Sequence, residues 1–345
     1  MKILLNKICF ALGLTLIFAG FALAQSEREN GLKLYAEGRI KEAVAALEKA
    51  SKQAKNDAEI WNALGLAYTK GENVKKAIKS FEKATAISPQ NAVYQTNLAY
   101  AYLLNSKFDK TQSAATKAIE LDPKNAAAYY LRGSASIWEG KPDEAIADAD
   151  RAIGYNADYA LAYVLKSDAL LANFGRRVGS GAKPIDEISL LKQAGDVLEL
   201  CLQNCRNNAQ TEIQQKRLEP LKIFYNYFSK NKDAVINQTP VGEVSQLPTL
   251  PVAPDPNFTP LKILSKPRAS YTDSARQAGV RGTVRLVVLF ADSGRVTHTL
   301  MLKGLSNDLN ENAVNAARSI KFEPARKNGK PISQIKIVEY TFEIR

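Results

Sequence analysis

One histidine in 345 residues, His298, leaves little of the side chain most used for proton transfer. Hydrolytic nucleophiles need a general base, and histidine is the usual one. His298 alternates in register with Val296 and Leu300, as a residue of a strand would. It is read as structural, so no catalytic residue is expected. Cysteine is almost as scarce, with three in the chain. Cys201 and Cys205 have no histidine nearby and fall short of a four-ligand metal site. The segment GSGAK (residues 179–183) has the wrong glycine–lysine spacing for a phosphate loop and follows no strand. The sequence therefore points away from an enzyme, and no metal or cofactor is expected.

Long apolar runs are missing beyond Ala24. Before it, Lys2 and Lys7 precede an apolar run from Ile8 to Leu23, closed by Ala22-Leu23-Ala24. That order is an export signal with cleavage after Ala24, and the run is short for a bilayer span of about 20 residues. An uncleaved anchor is the alternative. Cys9 lacks the small-residue surroundings of a lipid attachment site. Export permits a disulfide between Cys201 and Cys205. Spaced four apart on a predicted helix, the two bridge only if the helix ends there, as Asn-Cys-Arg-Asn-Asn suggests. Two free thiols packed as small apolar groups are the alternative.

The net charge of +12 is uneven, because residues 261–345 hold 15 Lys and Arg against 7 Asp and Glu. A basic end on a near-neutral remainder suits an acidic surface. For an exported chain that surface is cell-wall polymer, anionic lipid or an acidic protein face, not nucleic acid.

What the chain has in abundance is a period. Small residues recur at Gly31, Gly65, Ala99, Gly133 and Ser167, and alanines at Ala50, Ala84, Ala118 and Ala152, each 34 apart. A fixed period of that size marks stacked helical pairs, none of which buries its apolar face alone. Pro89 and Pro123 end the second helix of their units. The best copy carries Trp61, Leu64, Gly65, Tyr68, Ala77, Phe81, Ala84 and Pro89. On these spacings the segment resembles the tetratricopeptide repeat, with four clear copies and a partial fifth. The fifth has a first helix over about Asp158–Asn173, a glycine-rich break, and a second helix from about Asp186. A capping helix over about Ala209–Lys230 closes an all-α solenoid spanning residues 25–231. The resemblance implies a peptide-binding concave groove, lined by Asn62, Thr69, Lys70, Thr96, Tyr100, Leu104, Tyr130, Ser134 and Trp138. Of the aromatics, Tyr100, Tyr130 and Trp138 are the leading contacts, with packing between repeats as the alternative.

Residues 232–260 hold six of the 14 prolines and read as a semi-rigid extended linker. Beyond it the pattern predicts a short helix over Tyr271–Ala278 and strands over Thr283–Ala291 and Val296–Lys303 around an Asp292-Ser293-Gly294 turn. A helix over Asp308–Ser319 follows, with Asp308 and Glu311 as a capping box, then a last strand over Ile335–Ile344. Helices on an antiparallel three-stranded sheet make this a small α+β domain, residues 261–345. Pro267, Tyr271, Gly282, Gly294 and Phe322-Glu323-Pro324 give it a resemblance to the C-terminal domain of TonB, with Thr272 where that family often has proline. The resemblance implies an envelope adaptor in the periplasm, or anchored in the inner membrane and facing it. It further implies that the last strand pairs with a partner strand, such as a peptide of an outer-membrane receptor, flanked by Ile335, Ile337, Glu339 and Thr341. Pairing with a second copy of the chain is the alternative. The family's energy coupling needs an anchor histidine, and the only histidine here is far from the N-terminus. A cell-wall or lipid-contacting structural factor is the second reading.

Overall fold

In a computed structural model, the structure describes residues 25–205, 208–232, 257–305 and 308–343. The segment expected to be an export signal lies outside these residues, as do most of the expected linker and Ile344. The chain is a helical solenoid followed by a region of antiparallel sheets, and it divides into two compact units between Glu139 and Gly140.

The first unit is built of helical pairs. Helix α1 covers residues 25–36, and α2 (Ile40–Gln53), α3 (Ala58–Lys70), α4 (Val74–Ile87), α5 (Ala92–Leu104), α6 (Phe108–Leu121) and α7 (Ala126–Trp138) follow. Helices α3, α5 and α7, each the first of a pair, start on a side-chain cap. Asp57 accepts from the Glu59 amide at 2.9 Å, Asn91 from the Val93 amide at 2.9 Å, and Asn125 from the Ala128 amide at 3.0 Å. Such caps satisfy amides that a helix start leaves orphaned, worth about 1 kcal/mol each. The three caps share the period of the repeat. Within the pair, Gly65 lets α3 and α4 meet: a Cβ on it would stand 2.5 Å from the Phe81 ring, which is fully buried.

The second unit joins helices and sheet in one core. It holds α8 (Pro142–Tyr155), α9 (Ala160–Gly179), α10 (Ile188–Asn204) and α11 (Asn208–Lys230). Its strands and remaining helices run β1 (Phe258–Thr259), β2 (Lys262–Ser265), α12 (Asp273–Ala278), β3 (Gly282–Phe290), β4 (Val296–Lys303), α13 (Leu309–Arg318), β5 (Lys321–Glu323), β6 (Ala325–Lys327), β7 (Lys330–Ile332) and β8 (Gln334–Phe342). The main sheet is antiparallel in the order β4-β3-β8, beside the small ladders β1-β6-β7 and β2-β5.

Four sequence expectations change here. Helix α9 runs to Gly179, past the break expected after Asn173. Phe174 and Val178 are buried against the sheet, and Gly175 lies where a Cβ would sit 3.1 Å from the Leu302 Cβ. A mid-helix glycine costs about 1 kcal/mol, less than the roughly 1.5–3 kcal/mol gained by burying a leucine. Packing wins over the local break signal. Asp308 makes no capping bond; its left-handed backbone (φ 63°) is not the extended geometry of a side-chain N-cap. Thr272 caps α12 by accepting from the Ala275 amide at 3.2 Å, so the helix starts after Tyr271. The end of the expected linker pairs as β1 with β6. Cys201 and Cys205 are bonded, their Cα atoms 5.2 Å apart, with α10 ending at Asn204 between them.

Gly175→Val would force the branched side chain into Leu302. We expect a loss of about 1–3 kcal/mol in urea unfolding, the usual range for overpacking, with near-normal helix content. An unchanged midpoint would show that α9 and β4 do not meet closely in solution.

Candidate functional site

The residues expected to line a groove sit on first helices of the pairs. Asn62 on α3 accepts from Asn97 Nδ2 on α5 at 2.8 Å, and Asn125 Nδ2 donates to Thr96 Oγ1 at 2.9 Å. These bonds tie neighbouring repeats along the wall. Thr69, Thr96 and Ser134 each donate to a backbone carbonyl one turn earlier, at 2.7–2.8 Å. Trp138 stacks on Phe108, ring centroids 5.2 Å apart and planes within 9°, and Tyr130 packs against the buried core. Both therefore take part in packing. What remains open is Lys70, at the end of α3, and an apolar stripe on α5: Val93, Tyr100 and Leu104, with Tyr100 44% exposed.

A second pattern joins the repeats, and the sequence reading missed it. The Tyr68 hydroxyl donates to Glu48, and one repeat later the Tyr102 hydroxyl donates to Glu82 at 2.7 Å. Lys76 lies over the Tyr68 ring at 5.1 Å and Lys110 over the Tyr102 ring at 5.3 Å. Burial first, then the carboxylate, pushes both tyrosines up. The Tyr68 hydrogen bond, helped by Lys76 against the opposing cost of burial, holds Glu48 below its ordinary range. The next copy carries Thr116 and Ser136 at the matching positions. There Gln112 bonds Ser136 and Glu139 instead, at 3.3 and 3.0 Å. Matching glutamates and tyrosines at the repeat period were the available signal.

The second site is the β8 edge. β8 pairs with β3 on one side, and among the described residues no strand pairs with it on the other. Val338, Tyr340 and Phe342 are buried on one face of the sheet, beside Val284, Leu286 and Val288 of β3. Burial pushes the Tyr340 phenol up to about 12. The four residues expected to flank a partner lie on the opposite face, which is covered over Ile335 and Ile337 and open at Thr341. Ile335 and Ile337 are buried in a core with Phe174, Phe224 and Phe228. Glu339 pairs with Arg285 across the strands at 2.9 Å, and Thr341 shares a hydrogen bond with Thr283 at 3.1 Å. Ile335 and Ile337 are committed inside the molecule, and Glu339 and Thr341 are engaged with the neighbouring strand, so what this stretch chiefly presents at the edge is backbone.

Part of that edge is also occupied. Lys266 Nζ donates to the Glu339 carbonyl at 3.0 Å and sits over the Tyr340 ring. The Tyr271 ring lies edge-on against Phe342, centroids 5.8 Å apart. The open stretch is thus the first half of β8, around half-buried Lys336, whose ammonium is pushed down by burial. His298 sits opposite Leu289 on β4, half-buried, its Nδ1 unpartnered.

Residues 267–344 match the family model of the Gram-negative bacterial TonB protein C-terminal. Residues 28–92 and 92–125 match two models of the tetratricopeptide repeat. The chain carries tetratricopeptide repeats and a TonB C-terminal domain. No curated protein sequence matches it. Similar solved structures include the MamA protein, at 21% identity, covering 53% of this chain and 91% of that one, with TM-score 0.44. Pseudomonas aeruginosa PilF aligns at 18% identity over 62% of this chain and 88% of its own, TM-score 0.47. A thermophilic repeat protein of Thermus thermophilus aligns at 19% over 59% and 97%, TM-score 0.41.

The lowered Glu48 sets a pH signature. Its contribution is present above the unfolded carboxylate value of about 4.3 and is lost as pH falls through the depressed native value. Tyr68→Phe should cost about 1 kcal/mol at pH 7, kept small by solvent screening. In urea titrations the gap to the wild type should narrow below about pH 4. An equal gap at both pH values would remove the carboxylate from the account.

Proposed function

We propose that the protein is a non-enzymatic adaptor of the bacterial cell envelope, which holds one partner on its repeat groove and another by strand addition to β8. Tetratricopeptide repeats suggest protein–protein interaction, and a TonB C-terminal domain suggests an envelope role. The observation that carries the finer reading is the outer side of β8, which has no strand partner among the described residues. An extended peptide laid there gains main-chain hydrogen bonds along a preformed edge. Because both faces are packed along the open half of β8, at Ile335, Ile337 and Val338, selectivity must come from the few side chains beside it, Lys336 foremost. On the groove side, the exposed Val93, Tyr100 and Leu104 suit an apolar or mixed peptide segment.

The place of action in this reading is the periplasm, reached through cleavage after Ala24, and the partner at β8 is an outer-membrane receptor segment used in transport. Energy coupling is left out of the proposal, since the only histidine, His298, lies in the sheet.

A photoactivatable residue placed at Lys336 in cells should give adducts with an outer-membrane protein, mapped by mass spectrometry to an extended segment of it. The same residue placed at Thr297, exposed on β4, should not. The recovered adduct should begin at Gln25. Adducts confined to a second copy of this chain would replace receptor binding by self-association, and a start at Met1 would restore the anchored alternative.

A further inference from the structure

The ladder β1-β6-β7 contributes little to either core, yet it is built with care. Asn328 and Gly329, both at positive φ (52° and 75°), make the tight turn that joins β6 to β7. Such two-residue turns match the twist of the flanking strands and fix their register. The register places Phe258, Lys327 and Lys330 in one row across the three strands. Directly opposed side chains share a face of a sheet, and like charges so opposed are destabilising. Arg326, one residue before Lys327, points to the other face, opposite Thr259 and Pro331, and donates to the Gly329 carbonyl at 2.9 Å. Lys327 and Lys330 are exposed, and among the described residues neither has a carboxylate partner. The fold therefore holds two positive charges directly opposite each other at a cost and neutralises neither.

An aromatic side chain accompanies the charges. Phe258 shares the row and is 36% exposed. A soluble polyanion or an acidic protein rim gains little from such groups. A lipid surface gains from both: cations meet anionic head groups, and an aromatic side chain settles at the boundary with the acyl chains.

We propose that the β1-β6-β7 ladder is a docking site for an anionic lipid surface, with Lys327 and Lys330 on the head groups and Phe258, in the same row, as the interfacial anchor. This surface is separate from the β8 edge, so the two contacts stand or fall independently. Weak, salt-sensitive binding is expected, because each cation near an anionic surface strengthens association by roughly five-fold.

The test is co-sedimentation of the full chain with vesicles of phosphatidylcholine alone or with about one third phosphatidylglycerol, a fraction set so that the surface potential is of the order found in anionic leaflets. The readout is the ratio of anionic to neutral binding, which cancels any insertion of the apolar run near the N-terminus. The wild type should favour anionic vesicles, and Lys327→Gln with Lys330→Gln should lower the ratio by about thirty-fold. Phe258→Ser should weaken vesicle binding severalfold while leaving binding to soluble heparin unchanged. Thermal unfolding of the lysine variant should be unaltered or slightly raised, since a repulsion is relieved. No anionic preference, or a preference untouched by the lysine changes, would overturn the proposal. Loss of heparin and vesicle binding together, with no effect of Phe258→Ser, would overturn it in favour of a soluble polyanion.

Discussion

The second unit depends on covering both faces of one small antiparallel sheet. An isolated two-stranded hairpin is marginal in water, and three strands gain independent stability only through a hydrophobic face or a packed helix. Here β3 presents Val284, Leu286, Val288 and Phe290 to one side and Val287 to the other, all fully buried. Helix α13 packs on the β3–β4 side of the sheet, and Phe322 meets the Phe290 ring edge-on at 4.9 Å. On the opposite face, Leu300, Leu302, Ile335 and Ile337 share a core with α9, α10 and α11. The approach at Gly175 is what permits this, because any side chain there would meet Leu302. Once both faces are closed, the sheet can meet a partner only along an edge. In the proposed reading, recognition is thereby moved from side chains to backbone.

The repeats obey a different constraint. Each pair of helices buries only part of its apolar surface, so bonds between copies decide how the array holds together. The Glu48–Tyr68 and Glu82–Tyr102 bonds and the lysines over both rings recur in two successive repeats, then stop. Where they stop, Gln112 takes over with Ser136 and Glu139. The same surfaces that stack the repeats use up Trp138 and Asn62, which leaves Lys70 and the α5 stripe as the open part of the expected groove.

Legibility in the sequence follows the range of the interactions. The repeat period, the hairpin at Asp292-Ser293-Gly294 and the alternation of Val338, Tyr340 and Phe342 are local patterns, and they lead to the repeat solenoid and the α+β end. Side-chain alternation also places Ile335 and Ile337 on one face of the last strand. It cannot say that α9 and α11 cover that face, since the burial joins elements far apart in the chain. For the same reason Gly175 reads as a helix breaker; its partner, Leu302, is distant in the chain. Asp308 reads as an N-cap by spacing, but spacing does not register its left-handed backbone. Phe258 and Thr259 read as linker because their pairing partner, β6, comes only after β3, β4 and α13.

The central claim is that the faces of the sheet are closed and the outer edge of β8 is open. Residue-resolved hydrogen exchange measures this most directly. In an edge strand every second amide is unpaired. The account predicts slow exchange throughout β3 and an alternation of slow and fast amides over residues 334–338 of β8. It also predicts that the alternation is independent of protein concentration. Uniform protection of those residues, equal to that of β3, would mean that the edge is already paired and would contradict the claim.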